Sequence, residues 1–286
     1  MIIATKQEFN CISYETNHLL IERTKENLRD SGIAYIKHFP LASSTYVSLA
    51  EQLGTPLINY SSKSTLNDDA PDPVINRVKV KKTSTNEAAS VRYISDDLKP
   101  HNARSWLNPR PSYFAMLMVN SGWVDTHQGN RGESKIVRWE SFFKKFHSLS
   151  PEKYDRCLKR LLNTNIKFSA DNVKEDTLNS PLIYTLSDAK SEFDYGVRLK
   201  QDLLEKFCTF SDSLENAESY YSELKYFVES VRQLDAHNYY TMEEGDLIIM
   251  DNNRYAHGRY PILSERLNSE SIVESNPREI WSLTIS

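Results

Sequence analysis

The chain has 286 residues, of which 39% are aliphatic, aromatic or cysteine and 26% are charged, so it can bury a large core. Its net charge of -4 argues against general binding to nucleic acid, which needs a concentrated basic surface. No stretch approaches the roughly 20 apolar residues of a membrane span, and the start lacks the apolar core of a secretory signal. We therefore expect a cytoplasmic protein.

The sequence begins with a predicted helix, strand and second helix. Apolar residues recur at helical spacing over 18–29, and Gly32 ends that helix. Residues 33–36 predict a strand, and 43–53 predict a helix closed by Gly54.

A mainly β chain with flanking helices follows from the remaining patterns. They predict strands at 74–80 and 113–119, helices at 139–146 and 152–162, a strand at 183–186, a helix at 214–234, and strands at 247–250 and 280–285. Because there is no internal repeat or low-complexity linker, we expect one domain over 1–286.

Two of the seven histidines stand out from the rest. His257 follows an apolar strand and a polar corner, and His101 follows Lys99-Pro100, shortly before a predicted strand. The others have ordinary structural settings: His18 in a surface helix, His38 at a strand end, His127 in a turn, His147 at the end of a helix and His237 in a polar turn.

Arg278 lies 21 residues after His257, counted as 278 minus 257. Two histidines and a carboxylate are the ligands of non-haem iron(II) oxygenases, which leave three coordination positions open. An arginine is the natural partner for the far carboxylate of a co-substrate such as 2-oxoglutarate, because it binds carboxylates with two parallel hydrogen bonds.

Segment 243–259 resembles the distal-histidine motif of iron(II)/2-oxoglutarate-dependent oxygenases related to taurine dioxygenase, clavaminate synthase and carbapenem synthase. His101, the motif Gly132-Glu133-Ser134 and a final strand from Arg278 follow in that family's order. The resemblance implies a double-stranded β-helix, a jelly-roll barrel of the cupin kind, with helices outside. It also implies Fe(II), 2-oxoglutarate and O2 as cofactors.

The resemblance assigns roles to individual residues. His101 and His257 would bind iron, and Arg278 with the Ser134 hydroxyl would bind the far carboxylate of 2-oxoglutarate. The family's second arginine, four residues further on, is Ser282 here, which disfavours a taurine-like sulfonate substrate. The interval before Arg278 is longer than usual, and 263–276 is expected to form a lid.

Position 103 departs from the family pattern, because alanine stands where the carboxylate ligand belongs, two residues after His101. Halogenases of this kind carry the same replacement, and a chloride or bromide ion fills the vacated position. Ala103 therefore makes halogenation of a small molecule in specialised metabolism the leading hypothesis.

Other interpretations of Ala103 stay open. Asp96, Asp97 or the amide oxygen of Asn102 could supply the ligand, or iron could be held by two histidines in a hydroxylase or desaturase. The chain could also be a catalytically inactive binding protein, and Ala103 could be an engineered replacement.

The expected partner is a free small molecule that resembles an amino acid, and we expect binding to neither nucleic acid nor a membrane. Arginines near the motifs suit an anionic or zwitterionic substrate and equally suit salt bridges that fix loops; they are Arg104, Arg110, Arg131, Arg254 and Arg259. Arg104, Trp106 and Tyr255 are the candidate substrate contacts, with Tyr93 as a further aromatic wall.

Overall fold

The computed structural model describes residues 11–14, 19–58, 71–79, 97–122, 132–170, 173–205, 207, 216–233, 237–261 and 278–286. Within these ranges the chain is mainly β with helices packed outside, as the sequence predicts. No helix in the described ranges is both long and apolar enough to cross a bilayer.

A six-stranded sheet forms one side of the molecule. Its strands, from edge to edge, are β1 (Cys11–Ser13), β2 (Ile33–Lys37), β12 (Leu247–Asp251), β5 (Tyr113–Asn120), β14 (Glu279–Ile285) and β3 (Asn76–Lys79). The pairs are antiparallel except β1 with β2, so strands from both ends of the chain lie side by side.

A four-stranded antiparallel sheet faces the larger one. Its order is β11 (His237–Tyr240), β6 (Ser134–Arg138), β13 (Tyr255–Arg259) and β4 (Leu98–His101). Two hairpins stand apart from it, β7 (Asn165–Ala170) with β8 (Val173–Pro181) and β9 (Ile183–Thr185) with β10 (Tyr195–Val197).

The two sheets enclose an inner apolar layer, to which alternate residues of each strand contribute. Its members are Ile33, Tyr35, Ala103, Phe114, Met116, Met118, Ile136, Tyr240, Met242, Ile248, Met250, Tyr255 and Ile280. Because Ala103 belongs to this layer, the turn after β4 enters the space between the sheets.

Helices cover the outer faces of both sheets. The larger sheet carries α1 (Leu19–Ser31) and α2 (Ser43–Leu53), and the smaller carries α3 (Trp139–Leu149), α4 (Pro151–Asn163) and α5 (Ala217–Gln233). Burial of aromatic side chains such as Trp139 and Phe227, both fully buried, holds the second group in place.

The strands that carry the candidate site are the ones the sequence predicted least well. Position 101 was expected to precede a strand, whereas His101 is the last residue of β4. The strand β4 was not predicted because it contains Pro100, which disfavours a central strand. β4 is an edge strand, where a proline removes no hydrogen bond that the sheet needs. His257 lies in the middle of β13 and does not end the preceding strand, and His237 begins β11 where a turn was expected.

Candidate active site

His101 and His257 face each other across two neighbouring strands. They are direct cross-strand partners in the pairing of β4 with β13, and their ring centroids lie 4.3 Å apart. Side chains of directly opposed residues in an antiparallel pair share a face of the sheet. The two imidazoles that the sequence singled out are therefore brought together.

The ring of His101 is oriented by its own strand. Its Nδ1 lies 2.9 Å from the carbonyl oxygen of Lys99. Since a carbonyl oxygen only accepts hydrogen bonds, the neutral form of the ring carries its proton on Nδ1, which leaves Nε2 as the nitrogen with a lone pair for a metal. Such a hydrogen bond is the usual support of a metal-binding histidine.

His257 is buried and is supported by an aromatic ring. Burial, with the nearby His101 ring adding to it, holds the pKa of His257 well below its usual range, so the imidazole is neutral. Phe114 stacks on it with ring centroids 4.0 Å apart. The buried Nδ1 has no hydrogen-bond partner among the described residues. A neutral imidazole is the form that binds metals.

Gly258 allows β4 to approach β13. A Cβ atom at Gly258 would lie 2.5 Å from the carbonyl oxygen of Leu98, which is closer than any real contact. The pairing of the two strands also shifts register between His257 and Arg259. A side chain at this position would push His101 away from His257.

Among the described residues, no carboxylate completes the histidine pair. No group of three His, Cys, Asp or Glu side chains in those residues could hold a metal. Asp97 binds Lys135, at 2.5 Å, and Lys99. The amide oxygen of Asn102 accepts the Leu199 backbone N–H at 3.1 Å. Both alternative donors are thus engaged elsewhere, and Asp96 lies outside the described residues.

Arg278 and Ser134 lie near the start of β6, on faces that point between the sheets. The guanidinium of Arg278 donates to the Gly132 carbonyl oxygen at 3.0 Å. The hydroxyl of Ser134, two residues further along, lies 3.4 Å from the sulfur of Met242. Gly122 permits this placement, because it has a φ of +66° and a Cβ there would lie 2.7 Å from the backbone nitrogen of Arg278.

The charge around Arg278 suits an anion. Burial, followed by the positive charge of Arg259, lowers the pKa of Arg278 to about 9, and Glu133 opposes this only in part. A buried guanidinium that is incompletely neutralised is stabilised by a carboxylate, which it can bind with two hydrogen bonds.

The donor set fits the metal and co-substrate that the sequence implied. Two imidazoles, one oriented by a backbone carbonyl and one with a buried nitrogen that has no partner among the described residues, would bind iron(II) as nitrogen ligands. Arg278 and Ser134 would bind a dicarboxylate, and Ala103 offers no ligand atom.

The three candidate substrate contacts have other partners in the structure. Arg104 donates to the Ile58 carbonyl oxygen at 2.8 Å, and the Tyr255 hydroxyl donates to the Ser31 carbonyl oxygen at 2.5 Å. Trp106 packs against the helix-covered outer cluster. Their role toward a substrate stays a prediction.

Two of the remaining arginines fix loops. Arg254 binds three aspartates, and buried Arg110 donates to backbone carbonyls and to the Tyr184 hydroxyl. Several predictions lie outside the described residues: His18, His127, Arg131, Tyr93 and the lid at 263–276.

Sequence reasoning missed two residues that contact the site. Phe114 lay unmarked in an apolar run, with no signal to separate it from its neighbours. Asn252 was noted only as part of a polar corner, although its side chain binds the backbone of Ala103.

Comparison with known proteins identifies the family. The family model of the taurine catabolism dioxygenase TauD, TfdA family matches residues 7–271, which include both histidines, Ala103 and Ser134 but end before Arg278. A comparison with curated protein sequences finds no match.

Solved structures share the fold at low sequence identity. A taurine dioxygenase from Burkholderia xenovorans matches with a TM-score of 0.60 and 12% identity, over 95% of this chain and 83% of that one. An asparagine oxygenase in complex with Fe(II), 2S,3S-3-hydroxyasparagine and succinate gives 0.59 and 14%, over 94% and 80%. The non-heme iron oxygenase OrfP in complex with Fe and alpha-ketoglutaric acid gives 0.60 and 15%, over 94% and 80%.

The family match spans most of the chain. The chain therefore belongs to the TauD, TfdA dioxygenase family, and it is an oxygenase that depends on iron(II), 2-oxoglutarate and O2.

Proposed function

We propose that this oxygenase halogenates an unactivated C–H bond of a small, amino-acid-like molecule. The observation that carries the proposal is the surroundings of Ala103. Its methyl group lies in the inner layer, and no described carboxylate joins His101 and His257. Among the described residues the site would thus offer two histidine ligands and no negative charge in place of the family's carboxylate.

A halide ion would restore that charge. The positive charge of the metal would attract a small anion to the position facing Ala103, and a methyl side chain leaves room for one. The surrounding layer is apolar, so the attraction is screened less than in water. Chloride is the expected ion.

The protein's own groups would hold the reactants in place. His101 and His257 would hold iron, and Arg278 with Ser134 would bind the far carboxylate of 2-oxoglutarate. Iron with its co-substrate supplies oxidising power toward C–H bonds. The overall change would consume the substrate, chloride, a proton, 2-oxoglutarate and O2, and release the chlorinated product, succinate, carbon dioxide and water.

For the fold, we infer a closed double-stranded β-helix in a single domain. The two facing sheets and the structural similarity to a taurine dioxygenase support the barrel. An enclosed site would keep water away from a reactive substrate radical.

Two solved neighbours support an amino-acid-like substrate. One was crystallised with 3-hydroxyasparagine and another, a variant of OrfP, with (3S)-hydroxy-L-Arg. Arg104, the residue after Ala103, would bind a substrate carboxylate in exchange for its hydrogen bond to the Ile58 carbonyl oxygen, and Trp106 and Tyr255 stay the other proposed substrate contacts.

The hydroxylated ligands in those structures also favour a second function. In it, this chain hydroxylates its substrate, iron is held by two histidines, and water occupies the remaining position. The same barrel supports both outcomes, so the distinction depends on the ion that faces Ala103.

Chloride binding can be tested before the substrate is known. Anaerobic addition of Fe(II) and 2-oxoglutarate should give a weak visible charge-transfer band, which chloride should shift and nitrate at equal ionic strength should not. A band that responds equally to both salts would overturn the halide site.

The product decides between the two functions. The enzyme is incubated with free amino acids in excess chloride, and products are examined by mass spectrometry for the isotope pattern of chlorine. We expect a chlorinated product. A product that is only hydroxylated under these conditions supports the second function and rejects halogenation.

A further inference from the structure

Asn252 binds the backbone on both sides of the position where the family's carboxylate would stand. Its amide oxygen accepts the Ala103 backbone N–H at 3.0 Å, and its amide nitrogen donates to the Ala103 carbonyl oxygen at 2.9 Å. A second hydrogen bond from the same nitrogen goes to the Pro111 carbonyl oxygen at 3.2 Å. One side chain therefore fixes both peptide groups of Ala103.

The side chain of Asn102 in turn binds the backbone of the segment that contains Asn252. Its amide nitrogen donates to the carbonyl oxygens of Asn252, at 3.1 Å, and Tyr255, at 2.7 Å. Asn102 is the residue after His101, and Asn252 and Tyr255 precede His257 by five and two positions. The two asparagines thus join the segments that carry the two histidines.

The bonds of this pair leave no spare amide group. Asn252 is 1% exposed and Asn102 is 2% exposed, and both amide oxygens and both amide nitrogens are engaged. Buried amides with every group bonded fix one arrangement, because any shift leaves a polar group unsatisfied.

The turn that contains Asn252, residues 251–254, is also held by residues outside the site. Arg254 binds Asp251 at 3.0 Å and Asp194 at 3.2 Å, and Arg110 donates to the Asn252 carbonyl oxygen. The 251–254 turn is therefore held independently of position 103. Its hydrogen bonds can impose a geometry on Ala103.

We propose that Asn252 is a positioning residue for the metal site, which holds the Ala103 backbone and hence the spacing of His101 and His257 before any metal binds. The proposal goes beyond halogenation, since it applies to either reaction outcome. It places the rigidity of the site in the asparagine pair and not in a ligand carboxylate.

Metal affinity of the intact protein tests this role. Asn252→Asp keeps the acceptor for the Ala103 N–H but turns an oxygen toward the carbonyls of Ala103 and Pro111. We expect Co(II) affinity to fall about 10- to 100-fold, the usual loss when a group that orients metal ligands is changed. The visible spectrum of bound Co(II) should change as well.

Asn253→Ala is the matched control. Asn253 lies in the same 251–254 turn, but its side chain accepts the Tyr184 hydroxyl at 2.6 Å and does not bind Ala103. This variant should keep the Co(II) affinity and spectrum of the unaltered protein. If Asn252→Asp lowers stability but leaves both Co(II) readouts unchanged, Asn252 is merely structural and the proposal fails.

Hydrogen exchange tests the same proposal without any substitution. In the metal-free protein, the Ala103 amide should be protected from exchange as strongly as strand amides of β13, and Co(II) should add little protection. An Ala103 amide that exchanges freely until Co(II) binds would show that the metal orders this turn, and would overturn the proposal.

Discussion

The ring of Phe114 covers one face of the His257 imidazole, with 4.0 Å between ring centroids and 22° between ring planes. Phe114 comes from the six-stranded sheet and His257 from the four-stranded sheet. Because Nδ1 of His257 lacks a hydrogen-bond partner among the described residues, packing against the rings of Phe114 and His101 is what constrains the ring plane there.

Replacing Phe114 by leucine should therefore weaken metal binding in a protein that still folds. Leucine keeps the position apolar but removes the ring that stacks on His257. We expect Co(II) affinity to fall about tenfold, or ~1.4 kcal/mol, as for other groups that orient a ligand. Co(II) titration measures the affinity, and urea unfolding measures the stability.

Met118→Leu controls for repacking of the same layer. Met118 lies on the same strand and the same face, is 2% exposed, and has no ring contact with a histidine. Equal losses of Co(II) affinity in both variants would mean that general packing, and not stacking on His257, supports the ring.

Ala103→Asp should supply the missing ligand. Because Asn252 fixes the backbone at this position, an added carboxylate should increase Fe(II) affinity by about tenfold, or ~1.4 kcal/mol. It should also remove the response of the charge-transfer band to chloride. Ala103→Ser, which adds bulk without charge, should keep that response. A chloride response that survives in Ala103→Asp would contradict the assigned halide position.

Arg278→Lys should weaken binding of 2-oxoglutarate. A lysine keeps the charge but loses the planar pair of donors, and we expect about a 10- to 100-fold rise in Kd, or ~1.4 to 2.8 kcal/mol. Arg259→Lys is the comparison, since Arg259 is the other buried arginine nearby. A loss confined to Arg259→Lys would assign the carboxylate to that residue instead. Titration of the charge-transfer band gives both constants.

Asp97→Asn should change acid stability and leave metal binding intact. Burial alone would raise the pKa of Asp97, but Lys135 and Lys99 outweigh it and lower the pKa below its ordinary 3.8. The pair therefore stabilises the fold at neutral pH, and that stability is lost as the pH falls below about 3.8 and through the folded-state pKa. Near pH 7 the substitution should cost about 1 to 3 kcal/mol.

Urea unfolding at pH 7 and at pH values below that window measures the difference between Asp97→Asn and the unaltered protein. The two should converge in acid. A large fall in Fe(II) affinity of Asp97→Asn would instead identify Asp97 as the missing ligand and would reject both the ion-pair role and the halide site.

The sequence predicted the apolar parts of the fold well. The bounds of α2 agree at both ends, and the predicted strands at 113–119 and 280–285 differ from β5 and β14 by one residue. These elements bury continuous apolar runs or regular helical stripes, which are visible without knowledge of their neighbours.

The strands of the smaller sheet were harder to predict. β4, β6 and β13 hold few apolar residues, since some of their inner positions carry the candidate site residues His101, Ser134 and His257. A strand that exchanges its apolar alternation for functional side chains loses the pattern that reveals it. The pairing of the two histidines followed from family resemblance, whereas the Asn252 and Phe114 contacts required coordinates.

The histidines and the arginine belong to different sheets. His101 and His257 lie on the four-stranded sheet, and Arg278 immediately precedes β14 of the six-stranded sheet. A molecule held by the metal at one end and by Arg278 at the other would tie the sheets together as a cross-brace. Its binding should then raise the melting temperature as the co-substrate concentration rises.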